Sequence, residues 1–301
     1  MNRPLDKKHI LVTGSHRSGS TWIGKVLSAS SRISYVHEPF NIEVYPQSPV
    51  RCWFEHLPPE EHSEHQSEVR GFIQQLLKND LLGLPSEILK KGTINDAKGL
   101  IKQRIGRLRA DRRVIKDPIA LMSAEWMARN FTPFVIVTVR HPAAFAASLK
   151  VKDWTFDFQH FAGQQELLDK YLEPYQEQIR TYAVHPPEII AQACLLWNCI
   201  HHVILQYRER HPDWLFVRHE DLSLAPVAEY GRIFNYLQLP FDTEVQNYLQ
   251  QSVQVVKSTG QNISARENIT NWKKRLTSEE IELIRKSTKE VADKFYADEE
   301  W

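Results

Sequence analysis

A Gly/Ser-rich segment near the N-terminus has the residue types and the spacing of a phosphate-binding loop. Four residues separate Gly14 from Gly19, and Ser20 and Thr21 follow directly. A short apolar run precedes the segment, and an amphipathic stretch with helical spacing follows it. In a strand–loop–helix unit of this kind, backbone N–H groups and the helix N-terminus surround a bound anion. The pattern therefore predicts a site for a phosphate-like group.

One position separates this loop from the nucleotide P-loop pattern G-x-x-x-x-G-K-[ST]. Ser20 stands where that pattern has lysine. A loop without this lysine lacks the point charge that usually binds a γ-phosphate. Arg17 provides a cation inside the loop instead. We therefore expect the loop to bind an anionic, nucleotide-like group in a manner different from that of an ATPase.

The elements that must position this loop follow an alternating pattern of strands and helices. After the first strand, short β-rich runs predict strands at 33–36, 113–116, 133–139 and 214–217. Helical spacing occurs at 119–130, 143–150, 164–183, 187–210, 227–237 and 276–295. The run at 133–139 is almost continuously apolar, as expected for a strand buried on both faces of a parallel sheet. We predict an α/β fold, a P-loop-like parallel sheet with helices on both faces.

The chain is predicted to form a single domain over residues 1–301, with a helical insertion after the second strand, at about 41–110. The first part of the insertion, 41–59, is Pro-rich and predicted to be irregular, while 69–78 and 93–108 show helical spacing. A local basic run lies near its end. It consists of Lys102, Arg104, Arg107, Arg109, Arg112 and Arg113. This run is either a solvated helix face or a surface that guides an anionic ligand.

Polar residues follow each predicted strand, at the edge of the sheet where ligands bind in open parallel sheets. The groups at these positions are 14–21, His37-Glu38, Lys116-Asp117, Arg140 and 218–221. Ser148 lies eight residues after Arg140, in the next predicted helix. Because arginine offers a bidentate fork and serine a hydroxyl donor, this pair predicts a second anion site on the same edge.

Composition excludes several other classes of function. The chain of 301 residues has 42% hydrophobic and 25% charged residues, typical of a globular protein, and a net charge of +1. A net charge this small creates no long-range electrostatic attraction to nucleic acids or membrane surfaces, so we expect no nucleic-acid partner. The expected compartment is the cytoplasm, because the three cysteines form no CxxC pattern. No membrane span of about 20 apolar residues is expected.

A metal site is not expected either. His62 and His65 lie among acidic residues, but no cysteine or third spaced ligand accompanies them. We interpret this stretch as a solvated, charged loop.

Taken together, these motifs resemble the sulfotransferases that use 3′-phosphoadenosine 5′-phosphosulfate (PAPS). The matching segments are the loop 14–22, Val137-Thr138-Val139-Arg140-His141-Pro142 with Ser148, His219-Glu220-Asp221-Leu222 followed by Pro226 and Phe234-x-x-Leu237, and Trp272-Lys273 before Leu276-Thr277. The resemblance implies PAPS as donor, 3′-phosphoadenosine 5′-phosphate (PAP) as product and no required metal. The 5′-phosphosulfate would be bound by Gly14, Ser15, His16, Arg17, Ser18, Gly19, Ser20, Thr21 and Trp22. Arg140 and Ser148 would bind the 3′-phosphate.

The resemblance also explains why a lysine is absent from the loop. Sulfuryl transfer requires stabilisation of the charge that grows on the bridging oxygen, and no γ-phosphate is bound. Arg17, the loop amides and the hydroxyls of Ser20 and Thr21 are expected to supply this stabilisation.

The acceptor hydroxyl needs a general base. Phenol and steroid sulfotransferases use a histidine in a Lys-Thr-His pattern, whereas this chain has Lys116-Asp117-Pro118. Carbohydrate, tyrosyl-protein and related bacterial members use a glutamate after the second strand, which corresponds to Glu38. We predict Glu38 as the base, with His37 and Asp117 as reserves near the substrate, and Lys116 as an aid at the transferred group. The alternatives are a turn or capping carboxylate at Glu38 and a structural ion pair at Lys116.

Three assignments are less specific. Trp22 either stacks on the adenine or packs in the core. Arg266 resembles a late-loop arginine that reaches the 3′-phosphate in some members, although its distance from Trp272 differs from the cytosolic pattern. The insertion and residues 151–185 are expected to select the acceptor, a glycan or another small alcohol or phenol. Aromatic residues that either line its pocket or anchor loops are Trp53, Phe54, Trp154 and Phe156.

Two other functions remain open at this point. A P-loop kinase or NTPase would require Mg²⁺ and ATP, but the loop lacks its lysine. A protein of the same fold that binds PAPS or PAP without turnover would not need the carboxylate of Glu38.

Overall fold

A parallel sheet of five strands forms the centre of the protein, seen in a computed structural model that describes residues 9–60, 62–78, 110, 112–132, 134–256, 262–264 and 267–301. The strands are β1 Ile10–Gly14, β2 Ile33–His37, β3 Arg112–Lys116, β4 Phe134–Val139 and β5 Leu215–Arg218. Their order in the sheet is β2-β3-β1-β4-β5, and every pair is parallel. The predicted α/β fold class is confirmed. A separate antiparallel pair, β6 Gln254–Val256 with β7 Asn262–Ser264, was not predicted.

Helices surround the sheet. In the described part of the chain they are α1 Ser20–Leu27, α2 Glu64–Leu77, α3 Ala124–Asn130, α4 Pro142–Lys152, α5 Gln159–Ala162, α6 Gln165–Tyr171, α7 Gln176–Val184, α8 Ile189–Arg210, α9 His219–Leu224, α10 Pro226–Tyr236, α11 Thr243–Val253, α12 Glu267–Thr270 and α13 Ser278–Ala292. Short 3₁₀ turns occur at Pro118–Ser123, Glu173–Tyr175, Asn271–Lys274 and Asp298–Glu300.

The sheet separates two hydrophobic cores, because successive side chains of a strand point to opposite faces. Leu11 and Val137 belong to one core, which also holds the apolar sides of α4, α8 and α13. Val12 and Ile136 belong to the other, together with apolar residues of α1, α10 and α11. All four of these side chains are buried. The sheet is therefore covered on both faces, and its loops at the carboxyl ends of the strands lie at one edge.

Helix α8 corrects one expectation. It has 22 residues and is long and apolar enough, by length and composition alone, to cross a membrane. The expectation that no segment approaches this length is therefore wrong. However, 72% of its most apolar 18-residue stretch is buried inside the protein, where it packs on α4 and α13. It is a core helix of the fold.

Several predicted helices differ from the observed ones for identifiable reasons. The helix predicted at 164–183 is divided into α6 and α7 by the 3₁₀ turn that contains Pro174, which has no N–H for a helical hydrogen bond. The helix predicted at 119–130 begins as a 3₁₀ turn, since Asp117 accepts the N–H groups of Ile119 and Ala120. The helix predicted at 69–78 begins earlier, at Glu64, and the hydroxyl of the preceding Ser63 caps it by accepting the N–H of Gln66.

Helix α11 was missed. Asp242 accepts the N–H of Val245 at 3.0 Å, which is an N-cap signal that the sequence does show. The predicted helix at 93–108 and residues 102–109 of the basic run lie outside the described residues.

Candidate active site

The loop after β1 is shaped by its two glycines and by contacts with β4. Gly14 has φ +116°, and a Cβ there would lie 2.3 Å from the carbonyl oxygen of Thr138. Gly19 has φ +85°, and Arg17 also adopts the left-handed region, with φ +64°. The N–H of Ser15 donates to the same Thr138 oxygen at 2.9 Å. The loop can therefore close against β4 only with glycine at position 14.

The inner side of this loop is structural. The buried hydroxyl of Ser18 donates to the carbonyl of Ser15 and contacts the hydroxyl of Thr138. Thr138 in turn donates to the carbonyl of Thr13 at 2.9 Å. Gly14, Ser15 and Ser18, which were predicted to bind the donor, shape the loop and are not among the residues that line the adjoining cavity.

A cavity of about 1030 Å³ opens above the carboxyl ends of the strands. Predicted site residues that line it are His16, Arg17, Gly19, Ser20, Thr21, Trp22, Glu38, Lys116, Arg140 and Ser148. Lining residues that the sequence did not assign include His219, Ser223, Tyr248, Ser252 and Arg275. Of these, His219 directly follows β5 and was named among the polar residues after the predicted strands, but without a role. No comparable spacing indicates Arg275.

Two arginines and a serine meet on one side of the cavity. The Nε of Arg17 donates to the hydroxyl of Ser148 at 3.0 Å, and Arg140 donates to the backbone carbonyl of Arg17. The Nε of Arg140 is buried and has no partner within the described part of the chain. Burial lowers the pKa of Arg140 to about 10 and the charge of Arg17 contributes, against the opposing effect of Glu220. Arg140 stays protonated at neutral pH, and this cluster of cations is suited to bind an anion.

Glu38 and Lys116 form an ion pair at the cavity wall. Lys116, the last residue of β3, is 2% exposed and bonds to one oxygen of Glu38. The amide of Asn41 donates to the other oxygen at 2.7 Å. Burial acts to raise the pKa of Glu38, but the ammonium and the amide outweigh it, so that the pKa lies below its ordinary value. Glu38 is therefore a carboxylate at neutral pH.

Asp117 is fully buried and holds three backbone N–H groups. It accepts from Phe40 at 2.6 Å, from Ile119 at 3.0 Å and from Ala120 at 3.2 Å. Burial raises its pKa to about 7 despite these bonds. Asp117 is not among the cavity-lining residues. Asp117 therefore links the segment after β2 to the turn after β3. Because its carboxylate is used in this link, which we call the Asp117 clasp, Asp117 is a poor candidate for the reserve base.

His37 also lies beside the cavity and is not among the residues that line it. Its Nε2 is 4.0 Å from an oxygen of Glu38, and its ring stacks on Tyr35. Burial and the charge of Lys116 lower the pKa of His37. His37 therefore lies beside the carboxylate of Glu38 and is a weaker candidate for the base than Glu38.

Trp22 packs against the protein and also lines the cavity, and its predicted stacking on the adenine stays a prediction. It lines the cavity, its indole N–H donates to Ser252 at 2.8 Å, and its ring packs edge-on against buried Tyr230. Arg266, in contrast, lies outside the described residues.

His65 lies in α2 and not in the solvated, charged loop predicted there. Its ring donates to the buried carboxylate of Glu55 at 2.8 Å. Among the residues that the structure describes, no group of three or more histidine, cysteine, aspartate or glutamate side chains has an arrangement that could hold a metal.

With this geometry in place, comparisons with known proteins identify the family. The model of a sulfotransferase family matches residues 9–243. The chain belongs to this sulfotransferase family. The match covers β1 to β5 and most of the residues around the cavity. No curated protein sequence matches the chain significantly.

Solved structures of sulfotransferases resemble this one. The sulfotransferase domain of the Synechococcus PCC 7002 olefin synthase superposes with a TM-score of 0.52 at 15% identity, covering 96% of this chain and 94% of that domain. The sulfotransferase domain of the curacin biosynthetic pathway gives 0.48 at 15% identity, covering 93% and 97%. Sulfotransferase STF9 of Mycobacterium avium gives 0.45 at 14% identity, covering 98% and 78%. At this identity the first of these shows a shared fold.

Proposed function

We propose that this sulfotransferase transfers the sulfuryl group of PAPS to an acceptor hydroxyl by in-line displacement, with Glu38 as general base. The observation that carries the proposal is that one cavity contains both an arginine cluster and the ionised Glu38–Lys116 pair. The first is suited to a donor with several anionic groups, and the second to removing the proton of an alcohol. A non-catalytic binding protein would need the cations but not the carboxylate.

The donor is assigned to the side of the cavity that holds the β1 loop. The N-terminus of α1 and the amides after Gly19 are assigned to the 5′-phosphosulfate, together with Arg17. Arg140 and Ser148 are assigned to the 3′-phosphate, and the unpartnered Nε of Arg140 is available for it. Trp22 is assigned to the adenine. Since Arg17 bonds to Ser148, the two anion sites are adjacent.

The chemical step balances without a metal. Glu38 takes the proton of the acceptor hydroxyl, the acceptor oxygen bonds to sulfur, and the bond from sulfur to the phosphate oxygen of PAP breaks. Negative charge develops on that leaving oxygen, where Arg17 and the loop amides stabilise it. Lys116 is assigned to the oxygens of the transferred group. Guanidinium and ammonium groups thus supply the charge compensation.

The compartment is proposed to be the cytoplasm. Cys52, Cys194 and Cys199 are all free, and burial raises the pKa of both Cys52 and Cys194 to about 12. Unreactive thiols of this kind suit a reducing environment.

Ligand-induced thermal stabilisation tests the donor assignment. PAP should raise the unfolding temperature at micromolar concentrations without Mg²⁺, and adenosine 5′-phosphate, which lacks the 3′-phosphate, should do so much less. In Arg140→Ala this preference for PAP should be lost, because a charged hydrogen bond of about 1.5–3 kcal/mol is removed. Arg232→Ala is the control, since Arg232 pairs with Glu229 on the exposed face of α10. Stabilisation by ATP–Mg²⁺ but not by PAP would favour a kinase or NTPase and contradict the proposal.

A further inference from the structure

An aromatic wall extends from the β1 loop along one side of the cavity. We define it as Trp53, Phe54, Trp154, Phe156 and His160, all of which line the cavity. Phe54 lies 6.0 Å from the ring of His16 and 5.9 Å from Phe156, which in turn lies 5.9 Å from His160.

Trp154 continues the aromatic wall to the cations. The guanidinium of Arg17 lies over the ring of Trp154, 5.5 Å from its centroid. Trp154 is 49% exposed, an unusual state for such a large apolar side chain. Leu149, Ile119 and Leu196 also line the cavity. Within the wall, Trp53, Trp154 and His160 keep exposed surface, whereas Phe54 is fully buried. A flat apolar molecule is therefore offered aromatic contact surface that begins next to the proposed sulfuryl site.

The polar groups close to Glu38 already have hydrogen-bond partners within the protein. The amide nitrogen of Asn41 donates to Glu38, and its oxygen accepts the N–H groups of Glu43 and Val44 at 3.0 and 3.3 Å. Lys116 is bonded to Glu38. A polyol bound here would leave buried hydroxyls without partners, which is unfavourable. Burial lowers the pKa of His160, so its imidazole is neutral and adds no positive charge.

Two acidic residues lie beside the aromatic wall. Glu43 and Asp157 line the cavity and are exposed. The cation beside the wall is Arg17, which lies over Trp154 and is assigned to the donor, and Lys116 is paired with Glu38. Once the donor is bound, an anionic acceptor would therefore meet repulsion from Glu43 and Asp157.

From these observations we infer that the acceptor is an uncharged alcohol with a flat, apolar body, bound against the aromatic wall with its hydroxyl at Glu38. This differs from the anionic ligand that the basic run of the sequence suggested. The inference rests on the proposed function, because it assigns the second substrate of the same cavity.

Binding to the PAP-loaded protein separates the inference from the proposed function. Calorimetry compares three probes: 1-naphthylmethanol, the same molecule carrying a ring carboxylate, and a neutral disaccharide. The neutral aromatic alcohol should bind at least about tenfold more tightly than either of the other two, roughly 1.4 kcal/mol. Equal or tighter binding of the carboxylate or the disaccharide would overturn the acceptor class and leave the donor assignment intact. Failure of PAP itself to bind would overturn the proposed function.

Two variants test whether the acceptor binds at the aromatic wall. Trp154→Ala should weaken binding of 1-naphthylmethanol several-fold and Trp154→Phe should largely preserve it, with PAP affinity measured in parallel to confirm that the proteins are folded. Glu43→Lys should strengthen binding of the carboxylate probe several-fold. Glu282→Lys adds the same charge on the exposed face of α13 and is the matched control. Unchanged binding in both Trp154→Ala and Glu43→Lys would place the acceptor elsewhere and refute the inference.

Discussion

In its proposed role as the base, Glu38 depends on Lys116, which controls its charge. The ammonium and the Asn41 amide keep the carboxylate ionised in a half-buried position, although both also make it a weaker base. We expect the transferred sulfuryl group to compete with Glu38 for Lys116 when the donor binds. The basicity of Glu38 would then rise at the moment when the acceptor proton must be removed.

Replacing Lys116 with methionine tests whether Lys116 sets the pKa of Glu38. In Lys116→Met the burial of Glu38 is no longer opposed by a cation, so its pKa should rise above its ordinary value. A base acts only when deprotonated, so the acid limb of the profile of kcat/KM against pH should move to higher pH. Steady-state kinetics across pH 4–8 measures this shift. Lys150→Met is a control, because Lys150 pairs with Glu280 on α13. An acid limb at the same pH in Lys116→Met would show that the pair does not set the pKa of the catalytic base.

At the scale of elements, the site is built at the ends of four neighbouring strands, β2, β3, β1 and β4, with Glu38 directly after β2. β3 and β4 flank β1, so the loop after β1, the Lys116 end of β3 and Arg140 after β4 come together at one edge. Gly24 lets α1 approach this edge, since a Cβ there would lie 2.6 Å from the ring of Tyr35 and 3.3 Å from Cβ of Lys116. Asp117 completes the arrangement by joining the segment that carries Glu38 to the turn after β3.

Asp117→Asn tests the role of this clasp. An amide cannot accept hydrogen bonds at both of its heavy atoms, so at least one of the three backbone N–H groups loses its partner. The free energy of unfolding should fall by about 1–3 kcal/mol, as measured by urea denaturation. Turnover should also fall because Glu38 is held less firmly, while PAP affinity should stay close to that of the wild type. Unchanged turnover together with weakened PAP binding would contradict the positioning role.

The elements that the sequence predicts well are buried ones, because burial restricts the residue types that can occupy them. Strand β4 is buried on both faces and is almost entirely apolar, so its pattern has few alternatives. Glu38, Arg17 and Arg140 could be found because strand ends and a known motif mark their positions. Tyr248 and Ser252 lie on the unpredicted α11, and Arg275 follows a 3₁₀ turn, so only tertiary packing brings these residues to the cavity. The structural role of Ser18 likewise depends on Thr138, which is 120 residues away in sequence.

At the scale of the whole molecule, the proposed binding of an anionic donor would depend on local charge. The net charge of +1 gives no long-range attraction, whereas Arg17, Arg140 and Arg275 all line one cavity. The same cavity is lined by Glu38, the carboxylate that the proposed reaction requires. The groups assigned to the donor, the base and the acceptor therefore all lie around one cavity.

The most direct test of this account is transfer of labelled sulfuryl from PAPS, measured with the wild type and with Glu38→Gln. Acceptor alcohols of different classes are screened first with the wild-type protein. We predict that the wild type forms a labelled sulfate ester and PAP in equal amounts. Glu38→Gln should bind PAP with unchanged affinity and react at least about 100-fold more slowly, the smallest usual contribution of a general base. Transfer by Glu38→Gln at the wild-type rate, or no transfer to any acceptor by a wild-type protein that binds PAP, would contradict the account.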